Sequence, residues 1–294
     1  MESRKERFAS TGKGVTRSVQ QVVRRRVRQA TAALGAVDLG RAISDGAIEL
    51  ACQPIARLEH SSTILYRECT ALLRRADGLL LRPDLFMFYQ GKPGALERFD
   101  AFTVRRAMAL LSDEPSRCLG VNLSPYGVGD LAWWESVLGE LARRPEIARR
   151  LVFEIQEATV LTPGTGRTFR KALHAAGCRV AINGFGVRYG VQTAMEIDAP
   201  DIIKLDRSLL SGLTAKRLRR RLAGWVALAC DLAPCVVVEG VESHAALQAA
   251  QEAGAQWGQG SLLGRERLIP RLGGLWSIDR GGEQLASVAD RQAG

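Results

Sequence analysis

The sequence has six cysteines but no CxxC pair and no spacing suited to a structural zinc. Cys52, Cys69, Cys118, Cys178, Cys230 and Cys235 are scattered through apolar runs, which predicts reduced core residues in a cytoplasmic protein. Histidine is scarce. His60, His174 and His244 stand apart with charged neighbours and read as surface residues, so no imidazole cluster is on offer for a metal or a proton relay. No apolar stretch reaches the roughly 18 residues of a membrane span, and the basic N-terminus lacks the apolar centre of a signal peptide. Residues 1–37 contain one aromatic, Phe8, which argues against base stacking and against interfacial anchoring by that segment.

What is present is a chain of 294 residues, 46% hydrophobic and 24% charged, long enough for one large α/β domain with a full core. The net charge is +10, of which residues 1–37 carry +7 through nine Lys and Arg against Glu2 and Glu6. Val15, Val19, Val22, Val23, Val27, Ala30, Ala33, Leu34 and Val37 recur at helical spacing, with Arg17, Arg24, Arg25 and Arg28 mostly on other faces. Residues 1–37 therefore read as a basic amphipathic helix or arm. It either packs on the domain, docks a partner, or meets a membrane surface or nucleic acid by charge. A domain follows over 38–272, and residues 273–294 form a polar, glycine-containing tail.

Within 38–272 a helix-like entry over 39–50 leads to a strand at 51–58 and an antiparallel partner at 63–73. Short apolar strands then recur at 119–123, 151–155, 180–182, 201–205, 235–238 and, weakly, 259–263, separated by helical segments. That is the spacing of βα units. Nearly every strand ends in a polar or charged residue, as in VNLSP, FEIQE, AINGFG, IIKLD and VVVEGVE. An open sheet needs this only at its switch point, whereas a (β/α)8 barrel gathers all strand ends at one mouth. The expected fold is an α/β barrel in which Glu154, Lys204, Asp206 and Glu239 converge. Gly184, Gly186 and Gly190 do not match a dinucleotide fingerprint, because the last spacing is wrong. Thr11-Gly12-Lys13-Gly14 lacks the upstream glycine of a P-loop.

These strand ends carry a resemblance. QPI (53–55), NLS (122–124), EIQE (154–157), Phe185-Gly186, PDIIKLD (200–206), EGVES (239–243) and GQG (258–260) stand in the order found in the EAL domain. The chain resembles that family, a modified TIM (β/α)8 barrel that hydrolyses cyclic di-GMP. The resemblance implies a site for two divalent ions, magnesium or manganese, bridging phosphate and water. The matching ligand positions are Glu68, Asn122, Glu154, Asn183, Gly184 and Glu239, with Gln259 at the rim; Lys204 matches the lysine that orients the water.

The match breaks where the family has Asp-Asp-Phe-Gly and this chain has Asn183-Gly184-Phe185-Gly186. About two negative charges are missing from a site meant for two dications, and hard ions demand carboxylate oxygens. The first motif is altered too. Counting back from Pro83 puts Glu68 on the family's glutamate but Leu72 on its phosphate-gripping arginine. The other register keeps Arg74 and puts Thr70 where the acid belongs; both residues share a strand face, so parity does not decide. Glu242, Glu157 and Asp206 read either as acids orienting Lys204 or as counter-charges to it. Lys204 and Glu242 are then vestigial catalytic residues, and Arg74, Gln259 and Asp206 remain to face a ligand. The expectation is a catalytically degenerate EAL-type regulator acting through a protein partner, with a non-hydrolysing cyclic di-GMP receptor and a weak phosphodiesterase as alternatives. No cofactor is required; magnesium or manganese enters only if a residual site survives, and a homodimer is open.

Overall fold

The computed structural model describes residues 38–86, 94–124, 127–128, 131–159, 161–211 and 216–269. The basic arm at 1–37 and the tail at 273–294 lie outside the described residues. Among the described residues ten strands make one sheet: β1 (Ile48–Arg57), β2 (Ile64–Arg74), β3 (Leu80–Leu81), β4 (Leu119–Asn122), β5 (Leu151–Gln156), β6 (Arg179–Phe185), β7 (Ile202–Leu205), β8 (Cys235–Glu239), β9 (Trp257–Gln259) and β10 (Arg267–Leu268). The order β1-β9-β8-β7-β6-β5-β4-β2 closes on itself through β1–β2 pairing, giving an eight-stranded barrel with β3 and β10 outside it. Strand β1 runs antiparallel to both β2 and β9, while β2 and β4 to β9 run parallel. The reversed strand follows from the hairpin: two strands joined by a short turn must be antiparallel.

Helices pack around this ring: α1 (Leu39–Ser44), α2 (Pro83–Phe86), α3 (Ala95–Asp113), α4 (Leu131–Ala142), α5 (Pro145–Ala148), α6 (Thr165–Ala175), α7 (Val191–Ile197), α8 (Lys216–Leu232) and α9 (His244–Glu252). The few aromatics are concentrated where layers meet. Trp134 of α4 stands edge-on to Phe153 of β5 at 5.9 Å and contacts Phe169 of α6 at 5.6 Å, all three fully buried. Among the described residues no helix is long and apolar enough to cross a membrane.

Strand parity divides the barrel interior into layers. Ile55, Tyr66, Val152, Ala181, Ile202 and Val237 fill the middle, each at most 1% exposed. Two residues further towards the mouth, the same strands carry Gln53, Glu68, Glu154, Asn183, Lys204 and Glu239. Apolar packing thus forms the floor on which a polar ring stands.

Several expectations change. The entry helix stops at Ser44, not near Leu50, because Gly46 turns the chain with φ +66° and Ile48–Leu50 already belong to β1. The last barrel strand is 257–259 rather than 259–263. Gly260 lies so close to Val241 that a Cβ there would meet the Val241 carbonyl oxygen at 2.2 Å, and the chain turns at that point. Cys230 is exposed and Cys118 and Cys235 are half-buried, so only three of the six cysteines sit fully in the core. His174 is not a free surface residue: its Nε2 lies 2.8 Å from Asp201 Oδ2, which also accepts the Val180 N–H at 2.7 Å, tying α6 to the starts of β6 and β7.

Candidate functional site

The polar ring at the barrel mouth is built around Lys204. Its side chain is fully buried, and its Nζ donates to Glu68 Oε2 at 2.7 Å and Glu154 Oε2 at 2.8 Å, with Glu239 Oε1 at 3.1 Å. Glu68 also accepts from Asn122 Nδ2 (2.7 Å) and Gln259 Nε2 (2.7 Å). Glu154 also accepts from the Tyr66 hydroxyl (2.8 Å) and Asn183 Nδ2 (2.8 Å). Each of these two carboxylates therefore receives three protein donors, close to what two carboxylate oxygens hold. Asn122 Oδ1 in turn accepts from Gln156 Nε2 at 2.9 Å and Asn183 Nδ2 at 3.1 Å.

One ammonium cannot neutralise three carboxylates, and the titration behaviour divides accordingly. Burial works to raise Glu68, but the Lys204 charge and the three donors overcome it and hold the carboxyl down at about 2. Burial and the neighbouring Glu68 charge push Glu154 up to about 7 against the pull of Lys204. Glu239 is also raised, chiefly by burial. Burial disfavours the Lys204 charge, yet Glu154, Glu68 and Glu239 together lift it well above the ordinary lysine value. Like charges crowded in a dry site separate in this way, one ionised and one half-protonated near neutrality.

Above the ring lies a cleft of about 320 Å³, bordered by Gln53, Thr70, Gln156, Gly184, Asp206 and Glu242 among others. Gly184 holds φ +73°, and a Cβ built there would point between Gln156 Oε1 (3.8 Å) and Asp206 Oδ2 (4.0 Å). Space for a side chain is present, but the backbone is in the left-handed region that favours glycine.

The structure brings together Glu68, Asn122, Glu154, Asn183, Lys204, Glu239 and Gln259. Asp206 and Glu242 stand at the cleft wall instead. Asp206 accepts the Ser208 N–H at 2.8 Å, capping the next turn, and Glu242 is exposed. Both Glu68 and Thr70 line the cleft, as parity requires, and Glu68 is the one joined to Lys204. Arg74 lies further along β2, where its Nη2 meets Glu49 Oε2 at 2.9 Å and its Nη1 donates to Gly78 O at 3.2 Å; Leu72 is buried in the core.

Glu157 does not touch Lys204, correcting the expectation of an acid beside it. Its carboxylate points away, one residue out of phase with Glu154 and Gln156, and accepts the backbone N–H of Arg188 at 3.0 Å and that of Gly190. The loop after β6 is thereby held by a buried side chain 1% exposed. Sequence reading missed Tyr66 and Gln156 altogether. Both were within reach, since Tyr66 is two residues before Glu68 and Gln156 two after Glu154. It also missed Gly120, where a Cβ would meet Tyr66 Cε2 at 2.4 Å and Glu154 Oε1 at 2.8 Å, so glycine there makes room for the Tyr66–Glu154 bond.

Comparison with known proteins agrees with this architecture. The probable cyclic di-GMP phosphodiesterase PdeB of Escherichia coli (strain K12) is 24% identical over 219 residues, covering 72% of this chain and 41% of that protein. The cyclic di-GMP phosphodiesterase RocR of Pseudomonas aeruginosa is 25% identical over 236 residues, covering 78% and 59%. The chain thus spans 41% and 59% of the length of these two relatives, in each case less than two thirds. Among solved structures, the EAL domain of FimX from Pseudomonas aeruginosa, determined with cyclic di-GMP bound, superposes with a TM-score of 0.67 at 24% identity, covering 78% of this chain and 94% of that one. A family model described as EAL domain matches residues 36–266. With the motif residues gathered at one barrel mouth and the match spanning most of the sequence, this chain belongs to the EAL domain family.

Proposed function

We propose that this chain is a catalytically degenerate EAL domain that works as a regulatory protein in bacterial cyclic di-GMP signalling through contacts with a protein partner. The observation that carries the reading is the saturation of Glu68 and Glu154 by six hydrogen bonds from five donor groups of the protein itself. A pair of magnesium or manganese ions needs those oxygens and several negative charges besides. Here the Lys204 ammonium lies among the carboxylates, Asn183 turns a donor towards Glu154, and Gly184 contributes no ligand atom. The residues present do not fit a two-metal centre, and no hydrolytic step is assigned to them. An exposed apolar surface on the loop after β6 and on α7, made by Val187, Tyr189, Val191 and Met195, supports the partner-contact reading. A second copy of the chain or another protein would suit it. Residues 1–37 add a basic element that can dock the partner, a membrane surface or nucleic acid.

A second reading, a non-hydrolysing receptor for cyclic di-GMP, is favoured by the cleft itself, whose volume and neutral donors at Gln53, Gln156 and Ser261 suit a polar ligand. Calorimetry with cyclic di-GMP, with and without magnesium, separates the two. No heat supports the adaptor, metal-independent heat supports the receptor, and metal-dependent heat with turnover in a manganese assay would overturn both.

A further inference from the structure

Outside the polar ring, the barrel brings two thiols together. Cys52 on β1 and Cys69 on β2 are directly opposite in the antiparallel register, and their Sγ atoms are 2.9 Å apart. The kind of rung they occupy follows from the hydrogen bonding. Arg74 N donates to Ala47 O at 2.8 Å, so the rung that continues the register past Ile48–Leu73 is a hydrogen-bonded pair. Alternation then makes Gln53–Glu68 hydrogen-bonded and Cys52–Cys69 non-hydrogen-bonded, because the register is unbroken from Ile48 to Ile55. Non-hydrogen-bonded rungs bring Cα atoms to about 4.5 Å and side chains closest. That separation falls inside the roughly 4.4–6.8 Å range over which a disulfide closes.

We propose that Cys52 and Cys69 are an oxidation site that forms an intrachain disulfide with a small hydroperoxide. Burial selects the oxidant: Cys52 is 8% exposed and Cys69 1%, so a bulky disulfide reagent is excluded while hydrogen peroxide is small enough to enter. The Cys52 sulfur attacks one peroxide oxygen, the O–O bond breaks, and Cys52 becomes a sulfenic acid as water leaves. The Cys69 sulfur then attacks Cys52 Sγ; the S–S bond forms, the S–O bond breaks, and the hydroxyl departs as water with the Cys69 proton. Two thiols lose two electrons and one peroxide becomes two waters. The product links the rung next to Gln53 and Glu68, whose side chains lie on the opposite face in the polar ring. Oxidation therefore locks the hairpin that carries part of the barrel mouth.

The test uses the full chain with Cys230→Ser, which removes the exposed thiol that would cross-link molecules. After treatment with hydrogen peroxide and differential alkylation, peptide mapping should recover Cys52 joined to Cys69, with Cys118, Cys178 and Cys235 still alkylatable. Dithiothreitol added in denaturant should restore both thiols, and the oxidised form should melt at higher temperature. Cys52→Ala and Cys69→Ala, made separately, should each abolish the cross-link and leave the melting temperature insensitive to peroxide. Recovery of both cysteines as free thiols after oxidation, or of Cys52 as a sulfenic acid that never pairs, overturns the proposal. The readout is covalent pairing, so it succeeds or fails independently of whether the cleft binds cyclic di-GMP.

Discussion

Tyr66 shows how one side chain can close a site. Its hydroxyl supplies the third donor to Glu154, in space left by Gly120. Tyr66→Phe leaves Glu154 Oε1 without a partner and should cost about 1–3 kcal/mol in denaturant unfolding. The same change removes a bond that lowers the Glu154 carboxyl, which should then rise above about 7. Lys204 is held more firmly still, with three carboxylates around a fully buried ammonium. Lys204→Met strands those charges, and removing one partner from a buried ionic cluster costs on the order of 3–5 kcal/mol. A variant as stable as the parent would show that the cluster is not the keystone of the mouth.

A third residue acts away from the ring. Asp100 of α3 is buried, and Ser124 donates to it from its N–H (3.1 Å) and its Oγ (2.7 Å). Burial pushes its carboxyl up to about 7, against those hydrogen bonds. Because the folded value is raised, the folded state holds a proton that the unfolded chain releases near pH 4. Its contribution to stability is complete below that pH and is lost as pH rises through about 7. Asp100→Asn should therefore flatten part of the fall in unfolding free energy between pH 5 and pH 8, by at most about 3 kcal/mol. Glu154 and Glu239, both raised, keep the remainder of the slope, and Glu68, lowered to about 2, acts in the opposite sense, its contribution being lost as pH falls below about 4.5. An unchanged pH profile in the variant would contradict the assignment.

At the scale of elements, the loop after β6 hangs on Glu157. Charge-assisted bonds to two backbone amides contribute roughly 1.5–3 kcal/mol each. Glu157→Gln should speed hydrogen exchange at Arg188 and Gly190 by about tenfold or more, with little change in β5; equal protection in both proteins would show that the loop is held elsewhere. This element also marks where sequence reading worked and where it stopped. Polar residues at strand ends are legible, and they place Glu154, Lys204 and Glu239 at one mouth; Asp206, expected with them, stands at the cleft wall, and Asn183 is reached only through the resemblance. The antiparallel hairpin was legible from two long apolar runs around a short polar turn. What a sequence does not carry is which donor turns to which acceptor. Glu157 reads with Glu242 and Asp206 as an acid beside Lys204, although the single-residue step from Gln156 sends it to the other face. Arg74 could be aligned on a motif, yet its pairing with Glu49 depends on the hairpin register. The end of α1 and the short β9 were misjudged because Gly46 and the close approach of Gly260 to Val241 are tertiary facts.

At the scale of the whole molecule, a barrel with an intact frame supports a mouth whose carboxylates Glu68 and Glu154 accept their hydrogen bonds from the protein itself, the observation on which the proposed loss of a metal pair rests. The apolar layers beneath carry most of the frame's stability, so the ring above can change chemistry at a cost in stability while the barrel still forms. Restoring acids at two positions tests this division. Gly184 has room for a side chain at φ +73°, a conformation that aspartate tolerates better than most residues. Asn183→Asp with Gly184→Asp should fold and gain measurable magnesium affinity. No gain would place the obstacle in the Lys204 cluster itself. The most direct measurement is a calorimetric titration of the unmodified chain with magnesium or manganese, run beside a cyclic di-GMP hydrolysis assay. The account predicts no stoichiometric binding at millimolar metal and no turnover; two ions bound per chain with rapid cleavage of the dinucleotide would contradict it.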